Sequence, residues 1–196
     1  MPTITSISGG DPIESINGLL GGCRTLLDVG AGIGLSVAAM RVPIRIGLDI
    51  HRPYLEHWPA MEPAAIPLNL PAHALRTVFL PKTIDAVCFI DSLEHLPEKE
   101  AKAALADAEC IAGRIVAIFT PRGNFPQGES DVWGMGGEEH QRHRSSWEPE
   151  DFAGLGYNVL IFIGFHGDWS EPFRRAFGPG ASAVDALVAY KLLTPG

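Results

Sequence analysis

The residues that most suggest chemistry are three glycines at alternating positions, Gly30, Gly32 and Gly34, which follow an apolar run containing Asp28. Glycines placed this closely after a strand-like run let the backbone approach a ligand. The spacing departs from the dinucleotide fingerprint Gly-x-Gly-x-x-Gly, because Leu35 stands where the third glycine belongs. It also departs from the phosphate-binding P-loop, since no Gly-Lys-Ser or Gly-Lys-Thr follows. The pattern that remains is Asp-x-Gly-x-Gly-x-Gly.

A second group of polar residues comes at the ends of later apolar runs. Asp49 ends the run Ile-Gly-Leu-Asp and lies 19 residues after Gly30. A carboxylate at such a position can accept hydrogen bonds from both hydroxyl groups of a ribose. This acid alone suits a dinucleotide and S-adenosylmethionine (SAM) equally. Asp91 follows the apolar run Ile84–Ile90 and precedes the segment Leu-Glu-His-Leu, which contains His95.

These residues need a sheet to bring them together, and the sequence predicts one. Short apolar runs alternate with helical patterns over residues 25–121, which is typical of a parallel sheet covered by helices on both faces. The carboxyl ends of its strands form the edge that binds ligands. The last two apolar runs lack a convincing helix between them and therefore predict an antiparallel pair, Asn158–Phe165 and Ala186–Leu193. The other predicted elements are strands Thr25–Val29, Ile44–Ile50, Ala64–Leu70, Ile84–Ile90 and Arg114–Phe119 and helices Leu35–Met40, one beginning in His51–Trp58, Pro97–Ile111 and Glu148–Gly154.

Taken together, the glycines, Asp49 and the Asp91 segment resemble the class I SAM-dependent methyltransferases over about residues 24–193. The resemblance implies a Rossmann-like α/β fold: a mostly parallel seven-stranded sheet with an antiparallel C-terminal strand pair and helices on both faces. It also implies SAM as cofactor. In that family an acidic residue after the third strand contacts the adenine, and Asn69 occupies this place, so its side-chain carbonyl would make the contact. The predicted cofactor-binding residues are Asp28, Gly30, Gly32, Gly34, Asp49, Ile50, Asn69, Leu70 and Asp91.

Histidines near this site are the candidates for chemistry on the methyl acceptor. A hydroxyl acceptor needs a base, and the unperturbed pKa of histidine, near 6.5, suits that task. The region from Phe125 to Val159 resembles a bacterial methyltransferase group found among sugar and cell-surface polysaccharide genes. In that group a His-x-Ser-x-Trp element follows the fifth strand, and His143, Ser145 and Trp147 match it. This element fixes no substrate, and we predict a small-molecule, sugar or polysaccharide acceptor, methylated at oxygen.

The predicted roles divide the histidines between catalysis and binding. His143 is the favoured base and His95 the second candidate, whereas His140 and Trp147 are predicted to contact substrate. His140 and His143 could also hold a metal ion with Glu138 or Glu139, but the spacing places no fourth ligand, so no metal is predicted. The segment 122–147 is too long for a plain connection and is predicted to form a substrate-binding lid.

Composition limits the remaining possibilities. The 196 residues fit a single domain, 1–196, and the net charge of -8 argues against a nucleic-acid partner. No apolar run approaches the roughly 20 residues that span a membrane, and the first residues lack a signal-peptide pattern. The three cysteines form no Cys-x-x-Cys pair. A cytoplasmic protein is therefore expected, while its oligomeric state is not predicted.

Two other functions stay open at this point. A non-catalytic module with the SAM fold, which binds a partner or senses SAM, is favoured by Asn69 and by the absence of an unambiguous base. An NAD(P)-dependent dehydrogenase is disfavoured by Leu35 and by the lack of a Tyr-x-x-x-Lys pair.

Overall fold

A single mixed sheet organises the chain. The computed structural model describes residues 1–58, 64–129, 131 and 133–194, so Ser130 and Val132 of the predicted lid lie outside the described residues. The sheet has eight strands in the order β1-β7-β8-β6-β5-β2-β3-β4. The strands are β1 Ile4–Ile7, β2 Thr25–Val29, β3 Ile44–Asp49, β4 Ala65–Asn69, β5 Ile84–Ile90, β6 Ala112–Pro121, β7 Asn158–His166 and β8 Val184–Leu192.

The strand directions confirm the predicted fold class. Strands β4, β3, β2, β5 and β6 pair in parallel, and β8 runs antiparallel to both β6 and β7. The sheet has one strand more than the seven predicted, because Ile4–Ile7 pairs in parallel with β7 at the edge. This strand is four residues long and mostly exposed, so no buried apolar run marks it in the sequence.

Helices cover the two faces of the sheet. They are α1 Pro12–Leu19, α2 Leu35–Ala39, α3 Arg52–Glu56, α4 Leu75–Val78, α5 Glu98–Ile111, α6 Pro149–Gly154 and α7 Glu171–Phe177. Short 3-10 turns occupy Ala72–Ala74, Leu93–His95 and Glu138–His140. Helix α7 lies between β7 and β8 and was not predicted; it is seven residues long, and the two strands still pair antiparallel. No helix in the described part of the chain combines the length and apolar character needed to cross a bilayer.

Core side chains alternate between the two faces of β2 and β5. Leu27 and Val87 pack in the cluster that holds the inner face of α5, whereas Leu26 and Ala86 pack in the cluster that includes Ile16 of α1. All of these side chains are fully buried. A strand buried on both faces reads as a continuous apolar run, which is why the sequence marks these strands clearly.

Strand order determines where a ligand can bind. From β2 the chain proceeds outward to β3 and β4, and it then returns to β5 and β6 on the other side of β2. The order therefore reverses between β2 and β5, and open α/β sheets bind ligands at the carboxyl ends of strands beside such a reversal. The glycine turn after β2, the end of β3 and the loop after β5 all lie at this edge.

Candidate functional site

The glycine turn is fixed to the end of β3 by backbone hydrogen bonds. The N–H groups of Gly30 and Ala31 donate to the carbonyl of Leu48, at 2.7 and 3.0 Å. Asp28 lies beneath the turn, fully buried, and accepts a hydrogen bond from the Ser36 hydroxyl at 2.5 Å. Burial raises the pKa of Asp28 to about 7. Asp28 therefore supports the turn and is not among the residues that line the cavity above it.

Gly32 and Gly34, the other two glycines of the pattern, have different surroundings. Gly32 has φ +53°, and a Cβ added there would meet no atom within 4 Å, so its outer side opens to free space. Gly34 has φ +88°, and a Cβ there would lie 2.8 Å from the ring of Trp58. The indole N–H of Trp58 in turn donates to the Gly32 carbonyl at 2.9 Å. Gly32 thus leaves room for a ligand, whereas Gly34 leaves room for the tryptophan that holds the turn.

Asp49 closes the opposite side of the turn. Its Oδ2 accepts from the Gly32 N–H at 2.8 Å, and its Oδ1 accepts from the His51 N–H at 2.7 Å. Burial raises the pKa of this carboxyl, and the two N–H donors oppose that rise. Each carboxylate oxygen has a second lone pair, so the group can still accept hydrogen bonds from a ligand.

Two of the residues predicted to bind cofactor shape the end of β3 from outside the cavity. The Asn69 amide donates to the carbonyls of Asp49 and Ile50, at 3.0 and 2.9 Å, and the Leu70 N–H donates to the Asp49 carbonyl at 3.1 Å. Ile50 lines the cavity with an exposed side chain, whereas Asn69 and Leu70 do not line it.

One large cavity joins these groups to the ends of β5 and β6. Its volume is about 1030 Å³, at the upper end of the range of about 300–1,000 Å³ common for ligand sites. Gly30, Gly32, Asp49 and Ile50 line one part. The other part is lined by side chains from the ends of later strands and from segment 122–147, among them Asp91, Glu94, His95, Phe125, His143, Phe165 and His166.

The loop after β5 places two carboxylates in this second part. Asp91 adopts φ +47°, an uncommon conformation for a residue other than glycine, and its N–H donates to the Phe119 carbonyl at 2.9 Å. Although its side chain opens to the cavity, the surrounding protein and the nearby Glu94 raise its pKa. Glu94 is buried, accepts from the Thr120 hydroxyl at 3.1 Å, and has its pKa raised by burial to about 7.

His95 and His143 form a pair beside Glu94. Their ring centroids lie 4.9 Å apart in an edge-to-face arrangement. Nδ1 of His143 lies 2.8 Å from the Phe125 carbonyl, and Nδ1 of His95 lies 3.2 Å from the Arg142 carbonyl. A carbonyl only accepts, so the shorter of these contacts assigns the proton of His143 to Nδ1. Burial lowers the pKa of both, to about 4 for His143, which keeps that ring neutral at neutral pH.

His140 is separated from His143 despite their spacing. The His140 ring lies 5.5 Å from that of His51, and Nε2 of His140 lies 3.4 Å from the Glu139 carboxylate. Both residues line the cavity, but His140 lies near His51 and Asp49, whereas His143 lies beside His95. The 3-10 turn ends at His140, so the two residues do not share one helical face.

Trp147 lies in the core. Its side chain is 1% exposed and stacks on Phe152 at 5.0 Å between ring centroids, and its indole N–H donates to the Ser145 hydroxyl at 3.0 Å. It does not line the cavity. Packing against helix α6 therefore accounts for this residue, which was predicted to contact substrate.

Two cavity residues near the histidine pair, Glu94 and His166, were not predicted from the sequence. Glu94 stands beside His95 in the sequence, but its burial against Thr120 of β6 depends on tertiary packing. His166, at the end of β7, lies among aromatic rings, 5.4 Å from that of Phe125 and 5.1 Å from that of Phe165. The adjacent residues Glu94 and His95, in the segment after β5, were the one local sign in the sequence that polar groups meet here.

No protein-family model matches the sequence, and no curated protein matches it. Solved structures do match the fold. A SAM-dependent methyltransferase from Archaeoglobus fulgidus superimposes with a TM-score of 0.58 at 18% identity, covering 91% of this chain and 94% of that one. Magnesium protoporphyrin IX methyltransferase from Synechocystis PCC 6803, solved with bound S-adenosylhomocysteine (SAH), gives a TM-score of 0.57 at 16% identity, covering 93% and 82%. The YcgJ protein from Bacillus subtilis gives 0.62 at 14% identity, covering 94% and 99%.

At sequence identities this low, the superpositions show that the fold is shared. In this chain the cavity lies at the sheet edge that carries the glycine turn. The chain therefore has the fold of the class I SAM-dependent methyltransferases.

Proposed function

We propose that this chain is a SAM-dependent methyltransferase that transfers a methyl group to an oxygen of a small-molecule or sugar acceptor. One observation carries the proposal. A single cavity runs from the open side of Gly32 and Asp49 to the pair formed by His95 and His143, so that a cofactor and an acceptor fit side by side.

The residues of the first part fit SAM. The free space outside Gly32 admits a ligand against the backbone, and Asp49 offers carboxylate lone pairs for ribose hydroxyls. Gly30 and Ile50 line the same part, and Asp91, directly after β5, lines the cavity as well. When bound, SAM supplies an electrophilic methyl group on its sulfonium sulfur.

The second part of the cavity positions the acceptor. Methyl transfer is an in-line displacement, so the main contribution of the protein is to hold the acceptor oxygen in line with the methyl carbon. Nδ1 of His143 is held by the Phe125 carbonyl, which leaves its Nε2 lone pair for the acceptor side. Phe125 and Phe165 supply apolar walls that exclude water.

Asp49→Ala should weaken SAM binding by about 1.5–3 kcal/mol, the usual contribution of hydrogen bonds to a charged group. The cause would be loss of the ribose contacts together with looser anchoring of the Gly32 N–H. Calorimetric titration of SAM measures the change. Glu56→Ala is the matched control, since it removes an equal charge from an exposed position on the following helix. An unchanged affinity in folded Asp49→Ala would remove this residue from the site.

We propose that segment 122–147 acts as a lid over the acceptor. Its residues Phe125, Gln127, Trp133 and His143 line the cavity. Trypsin should cut first after Arg142 or Arg144 without ligand, and SAM with an acceptor should slow this cleavage. Equal cleavage along the whole chain, or a segment protected without ligand, would contradict a lid.

The acceptor class can be found by transferring labelled methyl groups from SAM to panels of sugars, phenols, alcohols and amines. We expect label on a hydroxyl compound. Transfer to amines alone would contradict oxygen as the target. SAM binding without transfer to any panel member would favour the alternative, a non-catalytic module that binds or senses SAM.

A further inference from the structure

Three metal-binding side chains converge in the acceptor part of the cavity. Glu94, His95 and His143 each offer a ligand atom, and these atoms all lie within 4.8 Å of one another. Ligands around one transition metal lie about 2.0–2.2 Å from the ion. Small rotations of these side chains would therefore bring all three atoms onto one cation.

The neighbours of the imidazoles orient them for this task. Nδ1 of His143 is held by the Phe125 carbonyl at 2.8 Å, and Nδ1 of His95 is held by the Arg142 carbonyl at 3.2 Å. Metal-binding histidines almost always donate the second ring N–H to a carbonyl or carboxylate, which fixes the ring and directs the other nitrogen at the ion. Both histidines make such a carbonyl contact at Nδ1.

The charge of the cluster also favours a cation. Glu94 is buried, and its carboxylate accepts hydrogen bonds from the Thr120 hydroxyl and from its own backbone N–H, which are both neutral donors. Buried carboxylates are costly unless they are paired or coordinate a metal, so a divalent ion would balance the charge here.

We infer that Glu94, His95 and His143 bind one divalent transition-metal cation, with open positions toward the acceptor part of the cavity. Two histidines and one glutamate form the ligand set of catalytic zinc sites that keep a place for water or substrate. The site differs from the sequence-based alternative, which joined His143 to His140 and Glu138 or Glu139.

The chemical role of this cation rests on the proposed function. An acceptor hydroxyl bound at an open position would lose its proton to water more readily, because a cation lowers the pKa of a bound hydroxyl. The resulting oxygen would form its bond to the methyl carbon as the carbon–sulfur bond breaks. The electron pair of that bond stays on sulfur, which yields SAH.

Metal binding can be measured without any acceptor. Untagged protein is stripped with a chelator, dialysed, and titrated calorimetrically with Zn²⁺ and separately with Mg²⁺. We expect one Zn²⁺ per chain and much weaker binding of Mg²⁺, which prefers oxygen ligands. Visible absorption of bound Co²⁺ reports histidine ligation independently.

Substitutions test which side chains bind the ion. Glu94→Gln and His143→Ala should each weaken Zn²⁺ binding by at least about 100-fold, since changes to residues behind the ligands alone cost about 10–100-fold. His57→Ala, which removes an exposed histidine at the end of α3, should leave Zn²⁺ binding unchanged. Circular dichroism and SAM titration show that the variants are folded, and Glu94→Gln preserves the shape of the buried side chain.

Wild-type protein that binds SAM but takes up no stoichiometric Zn²⁺ would overturn the metal site and leave the proposed function intact. Zn²⁺ binding that survives in both Glu94→Gln and His143→Ala would overturn it as well. If the wild-type protein does not bind SAM, in contrast, the result would count against the proposed function whatever the metal titration shows.

Discussion

Replacing His143 with alanine should lower the rate of methyl transfer by about 10²–10⁴-fold, the typical contribution of a positioned group that assists proton removal. His143 lies beside His95 and Glu94 in the part of the cavity assigned to the acceptor, and the Phe125 carbonyl fixes its ring. Without this imidazole, a metal-free site loses the lone pair that faces the acceptor oxygen, and a metal-loaded site loses a ligand of the proposed cation.

The same variant should bind SAM almost as tightly as the wild type, because Gly32 and Asp49 hold the other part of the cavity. The measurement is steady-state turnover with an acceptor found in the transfer panels, together with SAM titration. His57→Ala serves as the matched histidine control. A loss of tenfold or less would show that alignment by the rest of the cavity drives transfer and that His143 is a loop residue.

Replacing Gly32 with valine should weaken SAM binding by roughly 100-fold. A Cβ at Gly32 would meet no protein atom within 4 Å, so the new side chain would project into the space that the ligand needs. Steric overpacking typically costs about 1–3 kcal/mol, and each 1.4 kcal/mol is a tenfold change in affinity. The positive φ of +53° adds strain to the turn.

A control for Gly32→Val must share the backbone strain without touching the cavity. Gly22 has φ +79° and precedes β2, at the opposite end of the strand from the glycine turn. Gly22→Val should therefore reduce stability while leaving SAM affinity unchanged. Affinities for SAM that agree within about threefold between folded Gly32→Val and the wild type would place the ligand elsewhere.

Most of the strands, and the position of the glycine turn beside the end of β3, could be predicted from the sequence because their signals are local. β5 spans Ile84–Ile90 as predicted, since both of its faces are buried and its apolar run is unbroken. The meeting of Gly32 with Asp49 followed from parallel strands, whose carboxyl ends share one edge. Strand β1 was missed because its residues lie exposed at the sheet edge.

The acceptor side depends on contacts between residues far apart in the sequence. His95 and His143 are brought together by the path of segment 122–147, which no periodicity describes. The spacing of His140 and His143 suggested one shared face, but the 3-10 turn ends between them. Trp147 belongs to a loop by sequence, yet it is buried by its stack on Phe152. Such outcomes are set by tertiary packing rather than by local pattern.

Whether the cavity beside the glycine turn binds SAM can be measured by calorimetric titration of the purified chain with SAM, SAH and NAD. We expect one site per chain that binds SAM and SAH competitively, with no heat of binding for NAD. Binding of NAD in place of SAM, or no binding of SAM and SAH by folded protein, would contradict this expectation.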